Sequence, residues 1–300
     1  MKKIVNICLS FLMFIVIAFS VICVKNQAEV GAEAFDKTDQ QVYELIQKEL
    51  VEFLQIKSSE NSLRQGRIPG SDAEYNSAIY LKNKLSALKN FKSVTNASTV
   101  DGLESFEFEC LFDGNMYRSQ NVIFRREAIV NTDRKVVLAT HYDMAYIAKE
   151  EGTYKDGGIN TEGLNESAAS IATLLALAKT LDQMPLDFGY DIEIVFFGAS
   201  TNDYAGSKYY MRGHTDEMSD DILLMVNLDK IGVGEYNYIY MNEFETTQEK
   251  YVFKTIEGFK KLKQENTVDY SIESPNGLSY THVGLESDHA IFMKKNVNVL

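Results

Sequence analysis

The sequence is poor in the residues that staple or stiffen a chain. It has three cysteines, three prolines and no tryptophan in 300 residues. Cys8 and Cys23 both fall in the N-terminal apolar run, so the remainder holds Cys110 alone. This excludes an intrachain disulfide or a cysteine-based zinc site beyond that run. Cys110 lies in Phe106-Glu107-Phe108-Glu109-Cys110-Leu111-Phe112, whose alternation predicts a strand residue rather than a nucleophile. Basic charge is also short. Lys and Arg number 30 against 43 Asp and Glu, giving a formal net charge of -13. No basic patch concentrates positive charge, which excludes nucleic acid as a partner. The scarcity of proline excludes a collagen-like chain. What the sequence does have is 45% hydrophobic residues with 17 Phe and 17 Tyr, enough for a sizeable core. The length allows one large domain or two small ones.

Lys2 and Lys3 precede an uncharged run, Ile4 to Val24, of 21 residues. At about 1.5 Å per residue it can cross a hydrocarbon core of about 30 Å. The two lysines favour a cytoplasmic N-terminus and an exterior main domain. The alternative is a cleaved signal peptide, with Ala32-Glu33-Ala34 as a small-x-small site. Both readings predict export: a cell-membrane protein with its main domain outside, or a secreted one. Residues 1–34 are therefore read as signal or anchor segment and linker, and residues 35–300 as the main domain.

Within the main domain, apolar periodicity predicts helices over 41–55, 72–88, 166–181, 204–212 and 247–263. Short apolar or β-branched runs predict strands over 106–112, 121–125, 135–140, 190–197, 222–228 and 236–241. Arg67-Ile68-Pro69-Gly70-Ser71 reads as a turn. The alternation of helix and strand predicts an α/β class with a mostly parallel central sheet flanked by helices.

Open α/β sheets bind ligands beyond the carboxyl ends of their strands. Polar residues follow several of the predicted strands. His141-Tyr142-Asp143 follows the 135–140 run, Ser200-Thr201-Asn202-Asp203 follows 190–197, and Asp229 follows 222–228. The loop before the central helix carries Asn165 and Glu166. One imidazole with nearby carboxylates is a ligand set for zinc or a similar ion, and Asp143 is placed to orient His141. The same residues also fit ordinary polar strand ends.

Five segments stand out in order: Gly66-Arg67-Ile68-Pro69-Gly70-Ser71, His141-Tyr142-Asp143, Gly163-Leu164-Asn165-Glu166-Ser167-Ala168, Asn227-Leu228-Asp229-Lys230-Ile231-Gly232 and Ser287-Asp288-His289-Ala290-Ile291-Phe292. Together they resemble metallopeptidase family 28, the zinc exopeptidases that include secreted bacterial aminopeptidases, with glutaminyl cyclases and the transferrin receptor ectodomain as relatives. The resemblance implies a three-layer sandwich of the zinc-exopeptidase type. It implies metal ligands at His141, Glu166 and Asp229, with Asp143 and Asp288 behind them.

The chain departs from the family pattern where a glutamate pair follows the strand that ends at Phe197. Anchored on Gly206-Ser207, Ser200 stands at the general-base position and Thr201 at the position of a ligand to the second metal. The family's final histidine follows a strand that begins here at Asn296-Val297-Asn298-Val299-Leu300, where the sequence stops. The resemblance thus implies one zinc ion rather than two, and metal-dependent peptide hydrolysis that is impaired. The expected partner is a peptide or protein N-terminus, with the membrane as a further partner if residues 4–24 are uncleaved. A non-catalytic, peptide- or protein-binding relative and a truncated gene product are the alternatives. Asp203 is the one nearby carboxylate that could replace the base.

Overall fold

The computed structural model describes residues 39–56, 66–94, 106–112, 114–130, 133–145, 163–184, 189–212, 221–232, 238–239, 271–272 and 287–299. The apolar run 4–24, the sites around Ala32, the predicted helix 247–263, His282 and Leu300 lie outside the described residues.

Helix α1 (Asp39–Phe53) buries Val42, Ile46, Leu50 and Phe53, one stripe at near-helical spacing. Helix α2 (Asp72–Ser86) is capped by Ser71, whose hydroxyl accepts from the Glu74 amide at 3.1 Å. The Glu74 carboxylate reaches back to the Gly70 amide at 2.5 Å, so Ser71 and Glu74 form a variant of the capping box. Ala78, Leu81 and Leu85 are its core contacts. Helix α3 (Ala169–Gln183) is apolar almost all round, as a helix within a core should be.

The strands are β1 (Lys92–Ser93), β2 (Phe106–Phe112), β3 (Asn115–Arg126), β4 (Lys135–His141), β5 (Asp191–Phe197) and β6 (Ile222–Asn227). They form one sheet in the order β1-β3-β5-β4-β6, with β2 paired to β3. Strands β5, β4 and β6 are parallel, whereas β3 runs antiparallel to β1, β2 and β5. The mostly parallel sheet expected from the sequence is therefore found only across β5, β4 and β6, and the antiparallel β3 beside β5 departs from it. The β2–β3 hairpin makes the sheet as a whole mixed. Val299 bridges Met225 in parallel at the outer side of β6, with the Met225 amide donating to Asn298 O at 2.8 Å. A separate pair joins β7 (Tyr238–Ile239) to β8 (Ser271–Ile272).

Strand alternation sorts the core into two faces. Val136, Leu138, Ile192, Ile194 and Phe196 pack towards α1, α2 and α3. Val137, Ala139, Val195 and Phe197 pack towards helices α4 (Ala205–Met211) and α5 (His289–Met293), meeting Tyr210, Met211, Ile291 and Phe292. The result is three layers: helices, sheet, helices. Register then aligns the strand tips. His141 pairs with Phe197 and Ala139 with Asn227, and the Leu228 amide donates to Ala139 O at 2.8 Å. Asp229, two residues past Asn227, consequently comes level with His141.

Candidate metal centre

β4 is buried along its whole length and delivers His141, Tyr142 and Asp143 to the rim. Alternation sends Tyr142 inward, where its hydroxyl donates to Gln120 O at 2.6 Å. His141 and Asp143 share the opposite side. The His141 Nδ1–H points at Asp143, 3.1 Å from its carbonyl oxygen and 3.2 Å from Oδ1. Nε2 is thereby turned to Asp229 Oδ1, 3.3 Å away. With oxygen acceptors at both nitrogens, the metal-free ring carries both protons. Burial opposes that charge, but the hydrogen bonds to Asp143 and Asp229 outweigh it and hold the imidazole well above its usual range. For Asp229, burial pushes the carboxyl up, yet the hydrogen bond and charge of His141, with Lys230, hold it below the usual carboxylate range.

The pair fits a zinc ion. Two ligand atoms about 2.0–2.2 Å from tetrahedral zinc stand about 3.4 Å apart, close to the 3.3 Å between His141 Nε2 and Asp229 Oδ1. An Nδ1–H held by a carboxylate is also the usual way that a zinc-bound histidine is oriented. Glu166 belongs by its backbone to a π-turn, Leu164–Ala168, entered through Gly163 at φ 62 and continuing into α3. The Glu166 side chain lies outside the described residues. Among the described residues, two of the three expected ligands therefore meet, and no group of three His, Cys, Asp or Glu side chains able to hold a metal is present.

The loop after β5 is strained. Ala199, Asp203 and Tyr204 all have positive φ, at 48°, 56° and 56°. Such conformations cost about 1–3 kcal/mol each and persist where surroundings enforce them. Here the enforcers are buried acceptors. The Gly198, Ala199 and Thr201 amides donate to Asn121 Oδ1 (3.2 Å), Glu74 Oε1 (3.0 Å) and Asp143 Oδ2 (2.8 Å). A Cβ on Gly198 would come within 2.5 Å of Gln120 O and 2.8 Å of the Tyr142 hydroxyl, so only glycine fits.

Both hydroxyls of the loop are committed. Ser200 Oγ donates to Asp288 Oδ2 at 2.6 Å, and Thr201 Oγ1 donates to Asp143 Oδ2 at 2.6 Å. Asp143 thus spans the gap, one oxygen on His141 and the other on Thr201. Burial raises the Asp288 carboxyl to about 6, against the charge of His141 and the hydroxyls of Ser200 and Ser207. Its other oxygen, Oδ1, is buried with no protein partner among the described residues, as is Asn227 Oδ1. Buried acceptors of this kind are ordinarily met by water or an ion. Asp203, the nearby carboxylate expected as a replacement base, is engaged elsewhere. Its side chain is 83% exposed and paired with Lys208. Tyr209 stacks on Phe108 and Tyr210 packs against Phe197 and Phe292, so both are packing residues.

A family model described as Peptidase family M28 matches residues 121–300. The chain belongs to peptidase family M28. Within M28, zinc is the metal implied for the site just described. The chain is 23% identical over 253 residues to the alkaline phosphatase isozyme conversion protein of Escherichia coli (strain K12), a match over 78% of this chain and 66% of that protein. It therefore spans just under two thirds of that relative's length. Among solved structures, the fold is similar to an Acidobacteriales bacterium glutaminyl cyclase, with TM-score 0.58 and 18% identity over 92% of this chain and 82% of that one. It is similar to the LapA aminopeptidase of Legionella pneumophila, with TM-score 0.56 and 13% identity over 92% and 66%. A Zn-dependent exopeptidase from Parabacteroides distasonis gives TM-score 0.53 and 14% identity over 86% and 82%.

Sequence reasoning missed the residues that support this M28 site. Arg67, Glu74 and Asn121 are buried polar groups that brace it from elements distant in the chain. Ser71 followed three residues later by Glu74 is the one signal that could have flagged Glu74. Arg67 lies in a segment that resembles the family's, but nothing in that segment signals that it is buried or what it touches.

Proposed function

We propose that this M28 chain is an exported or membrane-tethered, aminopeptidase-type domain that holds one zinc ion and hydrolyses peptides poorly. The observation that carries this reading is the His141–Asp229 pair, 3.3 Å apart and backed by Asp143, standing beside hydroxyls where a carboxylate base is expected. His141, Asp229 and Glu166 would hold the ion. Zinc, when bound, supplies Lewis-acid polarisation of a carbonyl and acidifies water. Asp143 keeps a His141 proton on Nδ1, so that Nε2, once its own proton leaves, is the nitrogen presented to the ion. The acidic wall of Asp229 and Asp288 suits the ammonium group of a peptide or protein N-terminus. Ser200 cannot take a proton near pH 7, and loss of a positioned base costs about 10²- to 10⁴-fold in rate.

Export and tethering rest on the apolar run 4–24. No helix among the described residues is long and apolar enough to cross a membrane. Fractionation of cells expressing the full chain tests this part, and recovery in the cytosol would end it.

Purified protein should release an aminoacyl chromophore slowly, in a chelator-sensitive way, and lose that activity in His141→Ala. Release equal to that of His141→Ala favours a second reading, a non-catalytic peptide binder. One specific observation supports it: both Ser200 Oγ and Thr201 Oγ1 are already spent on Asp288 and Asp143.

A further inference from the structure

Arg67 is 2% exposed, the largest of the fully buried side chains among the described residues. Burying a guanidinium is expensive unless its hydrogen bonds are placed well. Its Nε–H donates to Tyr142 O at 2.9 Å, the carbonyl between His141 and Asp143. Its Nη2–H donates to Ser167 Oγ at 3.2 Å, in the π-turn that carries Glu166. The same Nη2 lies against Gly163, where any Cβ would collide with it. Behind it, the guanidinium carbon sits 4.7 Å from the centre of the Phe53 ring of α1. The main chain joins in, since the Met144 amide donates to Arg67 O at 3.0 Å.

We propose that Arg67 is a positioning residue that fixes the π-turn against the tip of β4, and so sets the separation of the ligands on those two segments. The inference rests on the zinc reading only for its consequence, because the bracket itself is visible without metal. A planar fork meets two acceptors at a fixed angle. A lysine in its place reaches one of them, and a methionine neither. Gly163 completes the arrangement, because the turn can approach the guanidinium only where no side chain intervenes.

The test uses the full chain with Arg67→Met, Arg67→Lys and His141→Ala. Amide hydrogen exchange is read first, without metal. Arg67→Met should speed exchange at Met144, Ser167 and Ala168 while leaving β5 protected, and Arg67→Lys should restore part of the protection. Zinc calorimetry is read second. Arg67→Met should weaken binding about 10- to 100-fold, the range for groups that orient a ligand, with Arg67→Lys between it and the parent. Unchanged exchange in Arg67→Met overturns the bracket whatever zinc does. Faster exchange with unchanged zinc affinity overturns the positioning role. Faster exchange in a parent protein that binds zinc no better than His141→Ala supports the bracket and sinks the zinc reading. Should Arg67→Met fail to melt cooperatively, Arg67→Lys carries the same comparisons.

Discussion

Zinc must displace a proton to bind here, and the structure says how many. Burial opposes the charge, but Asp143 and Asp229 hold His141 well above its usual range, so the imidazole of the metal-free protein is protonated in preference to neutral near pH 6.5. Asp229 is held low and is already ionised. Coordination needs a neutral imidazole, so each zinc bound should release about one proton, from Nε2. The free-energy cost is about 1.4 kcal/mol for each pH unit below the His141 value. Affinity should therefore rise about tenfold per unit until that value is reached. The assay is calorimetric titration at pH 6.5 in buffers of different ionisation enthalpy, where the slope of observed heat against buffer enthalpy counts protons. A slope near zero, or the same slope in His141→Ala, would refute the assignment. Stability of the metal-free protein carries the matching signature. The His141 contribution is complete below about 6.5 and fades as pH rises through its raised folded value. That of Asp229 is complete above about 3.8 and fades as pH falls through its lowered one.

Other outcomes are equally definite. Ser200→Glu should raise chelator-sensitive hydrolysis about 10²- to 10⁴-fold by returning a base to a loop whose backbone is already held; no gain would show that the base is not what limits the rate. Glu74 is raised to about 8, mainly by burial and then by the charge of Asp143. The unfolded chain gives up this proton first, so stability should fall as pH rises from about 4.5 to about 8, by on the order of 4–5 kcal/mol at most. Glu74→Gln should flatten that slope in urea unfolding at pH 5 and pH 8, and parallel curves for parent and variant would contradict it. Gly206→Ala places a Cβ 2.6 Å from Asn121 Oδ1 and hard against the Gly198 carbonyl. It should cost about 1–3 kcal/mol as overpacking, seen as a lower urea midpoint; an unchanged midpoint would mean that the loop yields freely.

The sheet was legible because its central strands are buried on both faces. Val136 to Ala139 and Ile194 to Phe197 therefore appear as unbroken apolar runs. The antiparallel extension was not, since nothing in Asn115 to Gln120 signals pairing with β2 except the register itself. Helix α3 was legible, but its first turn is a π-turn whose geometry depends on Gly163 at φ 62 pressed on Arg67. Local propensity does not contain that contact. At the site, His141 and Asp143 could be paired from a spacing of two, and Asp229 from its place after a strand. The bond from Ser200 to Asp288 joins residues 88 apart. It exists only because α5 begins beside the tip of β5, which is a property of the folded layers. Charged residues usually face water, so the burial of Arg67, in a turn, and Glu74, in the first turn of α2, ran against the expectation that their neighbours invite.

Because His141, the 198–204 loop and Asp229 leave adjacent parallel strands at one level, their spacing is inherited from the backbone ladder. The Ser200 and Thr201 side chains have little say in it, whereas those of Asn121, Glu74 and Asp143 hold the loop's amides. Selection can then alter reactivity one codon at a time while the cleft keeps its shape.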